Sequence, residues 1–365
     1  TRSDDWRVTA EGTTGQTYYT YSGSQTALNW TYDSSGSLVK TTDFYKECMS
    51  NVGSTPGSKV FTAQTVTKTS AEATNYANWY SYYRTRRLLM RTAMGQAMNV
   101  LDDGYRVGFM QLNQQSLANG TSQLKFRPVS DFSGDHKVDF YTSLYAATGS
   151  STTPSRSALS TAGRYFAKQL SKQATDPMQY ACQRNFALLT TDGYWNTTNK
   201  GLNLGGFAIG NADKDASRPM KDSYSDTLAD VAYYYYETDL RTEKLGNCTG
   251  ALGKDVCANI LAPAGKDTAT HQHMTTFTVG MGVSGTLKYD KNYLSQTSGD
   301  YYDLIQGNKN WPNPPETSSG GDARNVDDLW HAAVNGRGQY YSAQNASELA
   351  EAIQGVVSAV QETTG

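Results

Sequence analysis

Apolar residues recur along the chain with either a strand-like or a helical period, and the pattern changes near residue 75. Residues 1–74 carry no helical period, and short alternating stretches such as TYYTY predict β-hairpins. The segment 75–101 has apolar residues at helical spacing and predicts the first long helix. We therefore predict a β-rich insertion or small subdomain over 1–74 and a second domain over 75–365.

Strand and helix patterns alternate through this second domain. Segments 105–112 and 123–129 flank a polar link that contains Asn-Gly, which favours an antiparallel hairpin. Short apolar runs bounded by polar turns predict buried strands at 186–193, 273–283 and 338–343. Amphipathic stretches predict helices at Pro154 with Thr153 as N-cap, at 225–240, at 326–336, and after Asn345, which has capping-box spacing to Glu348. This order predicts an α/β fold, an open and mostly parallel sheet flanked by helices.

Composition narrows the class of protein. The 365 residues carry a formal net charge of −2 with scattered basic residues, which argues against nucleic-acid binding. No apolar run approaches the roughly 18 residues of a membrane span, and the start TRSDDWRVTA does not read as a signal peptide, although the chain could be mature or truncated. The 26 tyrosines against 10 phenylalanines fit an exported protein that uses tyrosines on its surface for contacts.

Four cysteines form an even set without metal-site spacing. Cys248 and Cys257 share a glycine-rich loop and are predicted to form a disulfide, which leaves Cys48 and Cys182 to join distant segments. The alternative is four free core thiols in a cytosolic protein.

Candidate chemistry lies where two predicted elements meet one edge of the sheet. Asp192 follows the strand at 186, and Thr153 precedes a helix that starts at the same edge. A carboxylate and a hydroxyl are the oxygen ligands that Mg²⁺ accepts. The alternative interpretation is an ordinary helix cap and an ordinary turn.

Other motifs predict no site. Residues 280–285 match GxGxxG but open no helix, so a dinucleotide site is not expected. The 211–215 stretch begins like a calcium loop but lacks the later glycine and glutamate, which favours a solvated loop. His271 and His273 are interpreted as a pair at the core edge and His331 as structural. No nucleophile elbow occurs, and no enzymatic activity is expected.

Several tracts resemble a known family. ALLTTDGYWN, TTPSRSALSTAGRYF and DDLWHAAVNGRGQYYSAQNASELAEAI resemble a von Willebrand factor A domain, and more narrowly the N-terminal A domain of the PilY1/PilC proteins of type IV pili. NYANWYSYYRTRRLL, SDTLADVAYYYYETDLR and HMTTFTVGMGVSGTL are similar to the same subfamily. The resemblance runs through most of residues 70–360, and the segment before it corresponds to the subfamily's variable insertion.

The resemblance implies a metal-ion-dependent adhesion site that holds Mg²⁺, Mn²⁺ or Ca²⁺. Thr153 matches its second loop and Asp192 its third. The formal match to its first loop is Asp33-Ser34-Ser35-Gly36-Ser37, but the alternating LNWTY before it favours a hairpin turn. Either residues 27–33 supply the first strand of the sheet, or that strand lies upstream of residue 1 in a longer parent protein.

The resemblance also implies a function. The protein would be exported through the periplasm and outer membrane to the pilus tip at the cell surface, with roles in pilus assembly, adhesion and twitching motility. Minor pilins and host-cell or abiotic surfaces would be its partners, and a partner's carboxylate would complete the metal site. One alternative is a rigid, disulfide-braced tip module without a working metal site; another is an enzyme with an unfamiliar site.

Overall fold

A computed structural model describes residues 15–26, 37–50, 59–113, 125–148, 152–192, 194–316, 322–343 and 345–364. The described chain forms two compact units, one of residues up to Thr92 and one from Ala93 onward. The turn predicted at 33–36 and most of the link between the first hairpin's predicted strands, 113–122, lie outside the described residues. The division predicted at 74/75 stays a prediction.

The first unit combines strands and helices. Strand β1 (Gln16–Tyr21) pairs antiparallel with β2 (Phe61–Val66), and helices α1 (Asp43–Ser50) and α2 (Ala73–Tyr82) accompany them. Phe44, Cys48 and Val60 form one small buried cluster. The helix predicted over 75–101 is interrupted after α2, because Thr85 Oγ1 accepts the Leu88 N–H at 3.2 Å and starts a new helix, α3 (Arg86–Met98).

The second unit contains two sheets among its described residues. Strands β3 (Arg106–Met110) and β4 (Phe126–Asp131) pair antiparallel, which confirms the predicted hairpin partners. Strands β5 (Phe186–Thr191), β6 (Thr275–Met281) and β7 (Arg337–Ala343) form a parallel sheet in the order β5-β6-β7. All seven residues of the central strand β6 are buried, as expected for a strand that is covered on both faces.

Helices flank these strands. They are α4 (Gly134–Ala146), α5 (Ser155–Phe166), α6 (Leu228–Glu237), α7 (Asp300–Gln306), α8 (Ala323–Asn335) and α9 (Ala346–Thr364). Helix α8 packs on β6, β7 and α6, and α9 packs on β7. Pro154 rather than Thr153 occupies the N-cap position of α5, so that part of the prediction is wrong. In the part of the chain that the structure describes, none of the helices has both the length and the apolarity for a membrane span.

Aromatic side chains fill the core of the second unit. Trp330 on α8 is 1% exposed and lies within a cage of other rings. The rings around it belong to Tyr289, Tyr293, Tyr301, Trp311 and Tyr340. Six of the described tyrosines are buried and belong to the core rather than to a contact surface. A buried tyrosine contributes a large apolar area when its hydroxyl finds a partner, as Tyr293 does by accepting the Tyr340 N–H.

One of the two predicted disulfides is present. Cys248 and Cys257 are bonded and close a short loop, as predicted. No bridge joins Cys48 to Cys182, and both thiols are free. That second prediction is corrected because Cys48 is buried in the apolar cluster of the first unit, whereas Cys182 is exposed.

Candidate functional site

The two ligand residues predicted from the sequence border β5 and α5. The strand ends at the buried Thr191, and Asp192 follows it with an exposed side chain. Thr153, which is half-buried, precedes α5. Its backbone N–H donates to Asn196 Oδ1 at 2.6 Å, and the Asn196 N–H donates to the Thr153 carbonyl at 3.4 Å. These reciprocal bonds bring Thr153 against the loop that starts at Asp192, at the same end of the sheet.

The loop after β5 is anchored below this edge. Trp195 is 1% exposed, and its Nε1–H donates to Asp328 Oδ2 on α8 at 3.1 Å. The Arg156 guanidinium lies 4.2 Å from the centre of the Trp195 ring, a cation–π contact. Arg156 also donates to the Thr197 carbonyl at 2.8 Å. Two hydrogen bonds and one cation–π contact therefore fix the loop that presents Asp192.

A cavity of about 250 Å³ opens beside the anchored loop. Its lining includes Arg156, Trp195, Tyr224, Asp226, Pro314 and Glu316. Burial lowers the pKa of Arg156, an effect that Asp328, Asp226 and Glu316 partly offset. Burial by itself raises the pKa of Asp226, but the hydrogen bonds from Lys200 and the Gly210 N–H, together with the positive charges of Lys200 and Arg156, hold that pKa below its ordinary value. The cavity is therefore lined both by charged side chains, such as Asp226 and Glu316, and by the aromatic side chains of Trp195 and Tyr224.

The donors at the sheet edge fit a hard divalent cation. A carboxylate and a hydroxyl supply the oxygen ligands that Mg²⁺ and Ca²⁺ prefer, and the exposure of Asp192 leaves room for water or a partner group. Asp33 and Ser35 of the predicted first loop lie outside the described residues, and Ser37 is exposed. Thr153 and Asp192 represent the second and third predicted loops.

A second cluster lies in the interior, where the sequence predicted none. Asp213, Asp222 and His331 each bring a potential ligand atom within 4.8 Å of the others. The solvated loop predicted over 211–215 is wrong at its centre, because Asp213 is fully buried; Asp215 is exposed. The sequence feature that could have indicated the cluster is the spacing of His331 and Asn335. These two residues lie one turn apart on the same buried face of α8.

The remaining motifs are structural in the described chain. Helix formation does not follow β6 directly, since residues 282–299 form turns and bends, in keeping with the rejected dinucleotide site. His273 Nε2 lies 2.9 Å from Asp267 Oδ1, and its Nδ1 lies 2.8 Å from the His271 carbonyl. Both are polar contacts within the fold. Cys248 and Cys257 lie near Asp255, but their sulfurs are bonded to each other.

Comparison with known proteins gives consistent relatives. The chain is 33% identical over 315 residues to Type IV pilus biogenesis factor PilY1 of Pseudomonas aeruginosa strain PAK, which covers 80% of the chain and 26% of that relative. The chain is a PilY1-type sequence. The PilY1 proteins of strains PAO1 and UCBPP-PA14 are 34% and 31% identical to it over 313 and 317 residues, covering 78% and 80% of the chain.

The PilY1-type chain spans 26% of the length of each of these relatives. No family model matches it. No solved structure matches it either.

Proposed function

We propose that this chain is an exported domain of a type IV pilus biogenesis factor that acts at or near the pilus tip. Similarity to three proteins of that name across 78–80% of the chain supports the role in pilus biogenesis. Minor pilins are the proposed assembly partners, and host-cell or abiotic surfaces are the proposed targets of adhesion. The second unit is proposed to be a von Willebrand factor A-like domain, in line with its helix-flanked parallel sheet.

In the proposed mechanism, the carboxyl end of the sheet binds a partner through a divalent cation. Thr153 and Asp192 would hold Mg²⁺, Mn²⁺ or Ca²⁺, and the bound cation would offer an open coordination position to a carboxylate of the partner. Asn196 positions Thr153, while Trp195 and Arg156 keep the loop rigid. The observation that supports this proposal is the Thr153–Asn196 pair, which joins the segment before α5 to the loop that starts at Asp192.

The cavity beside the edge would supply part of the contact area. Tyr224 and Pro315 of its lining are half-buried and would offer apolar surface to a partner segment. The proposed activity is binding alone, and a broad hydrolase screen is expected to detect no turnover.

Calorimetric titration with Mg²⁺ tests the metal site. The wild type is expected to bind one Mg²⁺, and Asp192→Ala is expected to weaken binding at least tenfold because it removes the charged ligand. Asp215→Ala is the matched control, since it removes an exposed aspartate from a different loop and should leave the affinity unchanged. Equal affinity in the wild type and Asp192→Ala would exclude the proposed ligand.

A structural role without metal is the second candidate, favoured by the Cys248–Cys257 disulfide and the aromatic core. Pili and surface attachment can be scored in cells that carry the Asp192→Ala change in the full-length protein. Cation-mediated adhesion predicts normal pilus numbers with reduced attachment. Unchanged pilus numbers and attachment would instead assign the domain a purely structural role.

A further inference from the structure

Two acidic side chains and one imidazole meet inside the second unit, away from the sheet edge. Asp213 and Asp222 come from the loop between β5 and α6, and His331 comes from α8. Their side chains are 0%, 4% and 2% exposed. The loop and the helix are therefore joined by polar groups that water does not reach.

These acids have no countercharge in the described chain. His331 is their ion-pairing neighbour, but burial lowers its pKa to about 3, so the imidazole is neutral. Burial, reinforced by the neighbouring Asp230, raises the pKa of Asp213 to about 7. Burial and the charge of Asp213 raise the pKa of Asp222 to about 8. Uncompensated buried carboxylates are unfavourable, and a bound cation would remove that penalty.

Within the described cluster, His331 Nδ1 and Asp222 Oδ2 face each other, whereas Asp213 Oδ2 accepts from Asn335 and lies 3.7 Å from His331 Nε2. His331 Nε2 lies 2.6 Å from the Met220 carbonyl, and because a carbonyl only accepts, Nε2 carries the hydrogen. The Nδ1 lone pair then faces Asp222 Oδ2 at 3.5 Å. Backbone N–H groups of Asp222 and Tyr224 occupy Oδ1 of Asp213 and Asp222 respectively. A histidine whose other ring nitrogen donates to a carbonyl is the usual arrangement at protein metal sites.

Asn335 gives an independent indication of a missing ligand. It lies one turn after His331, is 0% exposed, and points its amide at the cluster, since Nδ2 donates to Asp213 Oδ2 at 2.7 Å. Its Oδ1 is buried and has no hydrogen-bond partner. Ligation through Oδ1 takes a half-turn of the amide, which gives up this bond and the 3.3 Å bond from Nδ2 to the Ala229 carbonyl in exchange for a cation between Oδ1 and Asp213 Oδ2.

The spacing of the ligand atoms favours a cation over a direct hydrogen bond. The 3.5 Å between His331 Nδ1 and Asp222 Oδ2 exceeds the roughly 2.5–3.2 Å of a good hydrogen bond. Two ligands about 2.1 Å from a tetrahedral zinc ion lie about 3.4 Å apart. Imidazole with carboxylates suits Zn²⁺ and related ions, whereas Mg²⁺ and Ca²⁺ prefer oxygen ligands alone.

We propose that Asp213, Asp222 and His331, with Asn335 as a fourth ligand, form a structural site for a divalent cation of the zinc class. The cation fastens the 210–226 loop to α8. This site uses none of the residues of the proposed adhesion site.

The test uses the whole chain, purified without chelator and with Cys182 alkylated so that its exposed thiol does not bind zinc. Elemental analysis is expected to find about one equivalent of zinc-class metal. Removing the metal with EDTA should lower Tm, and adding Zn²⁺ should restore it. Absence of metal together with no Tm response to Zn²⁺ would overturn the proposal.

The Asp222→Asn variant separates an effect on metal binding from an effect on folding. The amide has the shape of the protonated acid, so the metal-free variant should fold and melt like EDTA-treated wild type. Its Zn²⁺ affinity should fall at least tenfold, while Asp215→Asn, on the same loop but exposed, should bind like the wild type. Unchanged zinc affinity in Asp222→Asn would contradict the assignment.

The elemental analysis and the Tm response to Zn²⁺ cover the case in which Asp222→Asn does not fold, because both use the wild type alone.

Discussion

The sheet edge and the buried cluster place aspartates in opposite surroundings. Asp192 is exposed at the end of β5, whereas Asp213 and Asp222 are enclosed with an imidazole. At the edge, water and partner groups reach the carboxylate, which suits a hard, exchangeable cation. In the interior, burial raises the pKa of both acids, so the site favours either protons or a tightly held ion. Environment, more than residue type, decides what each aspartate does.

The largest expected effect on stability comes from Asp328, which joins the loop after β5 to the start of α6. Asp328 is 3% exposed and accepts from Leu228 N–H at 2.9 Å, Ala229 N–H at 3.1 Å and Trp195 Nε1–H at 3.1 Å. Asp328→Ala leaves these donors buried without a partner and should lower the free energy of unfolding by about 3–5 kcal/mol. Urea denaturation measures this change.

The control for Asp328 is Asp103→Ala, an exposed aspartate in the second unit. It should change the free energy of unfolding by less than about 0.5 kcal/mol. A loss below about 1 kcal/mol in Asp328→Ala would mean that the edge loop and α6 do not depend on this carboxylate.

The pH dependence of stability separates the buried acids from the exposed one. In the metal-free protein, the pKa values of about 7 for Asp213 and about 8 for Asp222 lie above those of the unfolded chain. The folded state therefore keeps protons that the unfolded state loses, and the free energy of unfolding falls as pH rises from about 4 to about 8. Asp222→Asn should show a shallower fall, with a difference on the order of 3 kcal/mol.

Thermal melts of metal-free wild type and Asp222→Asn from pH 5 to pH 8 test this difference. Asp176 and Asp267 have lowered pKa values and act with the opposite sign, but equally in both proteins, so the comparison cancels them. Parallel pH profiles would show that Asp222 is charged in the folded protein at neutral pH.

Removing the Cys248–Cys257 disulfide tests whether metal binding at the sheet edge or at the buried cluster depends on this crosslink. Replacing Cys248 and Cys257 by serine removes a crosslink between residues 9 apart and should cost about 2–3 kcal/mol. Metal affinity at both sites should be unchanged, because neither site uses these residues. Cys182→Ser is the matched control. A loss of zinc affinity in the Cys248/Cys257 double variant would show that the buried cluster depends on the disulfide.

The smallest stability effect is expected at the sheet edge itself. Asp192→Ala replaces an exposed side chain and should change the free energy of unfolding by less than about 0.5 kcal/mol, even as it weakens Mg²⁺ binding. Chemical denaturation without metal measures it. A loss above about 2 kcal/mol would indicate a structural role for this carboxylate.

Local patterns predicted the sheet well. The apolar run of β6 and the amphipathic face of α8 specify their structure within a few neighbouring residues, and both formed close to the predicted bounds. Thr153 and Asp192 were predicted as ligands because Thr153 precedes α5 and Asp192 follows β5, and that role stays a prediction. Helix α4 was missed because Phe140 and Leu144 make up most of its buried stripe, which is short for a recognisable period.

Tertiary contacts account for what the sequence did not predict. Asp213 reads as a loop residue, and it becomes buried only because its loop packs against Asn335 and His331 of α8. The part played by Asn196 depends on the loop after β5 meeting the segment before α5. Likewise, the burial of Tyr293 and Tyr340 follows from the ring of Trp330, which no local pattern specifies.

Water-proton relaxation with bound Mn²⁺ tests the adhesion site most directly. Mn²⁺ held by Thr153 and Asp192 at the exposed edge keeps exchangeable water, so the wild type should show strong relaxation enhancement, which Asp192→Ala should abolish and Asp222→Asn should preserve. If Asp192→Ala retains the full enhancement, or if the wild type shows none, the sheet edge does not hold an open cation.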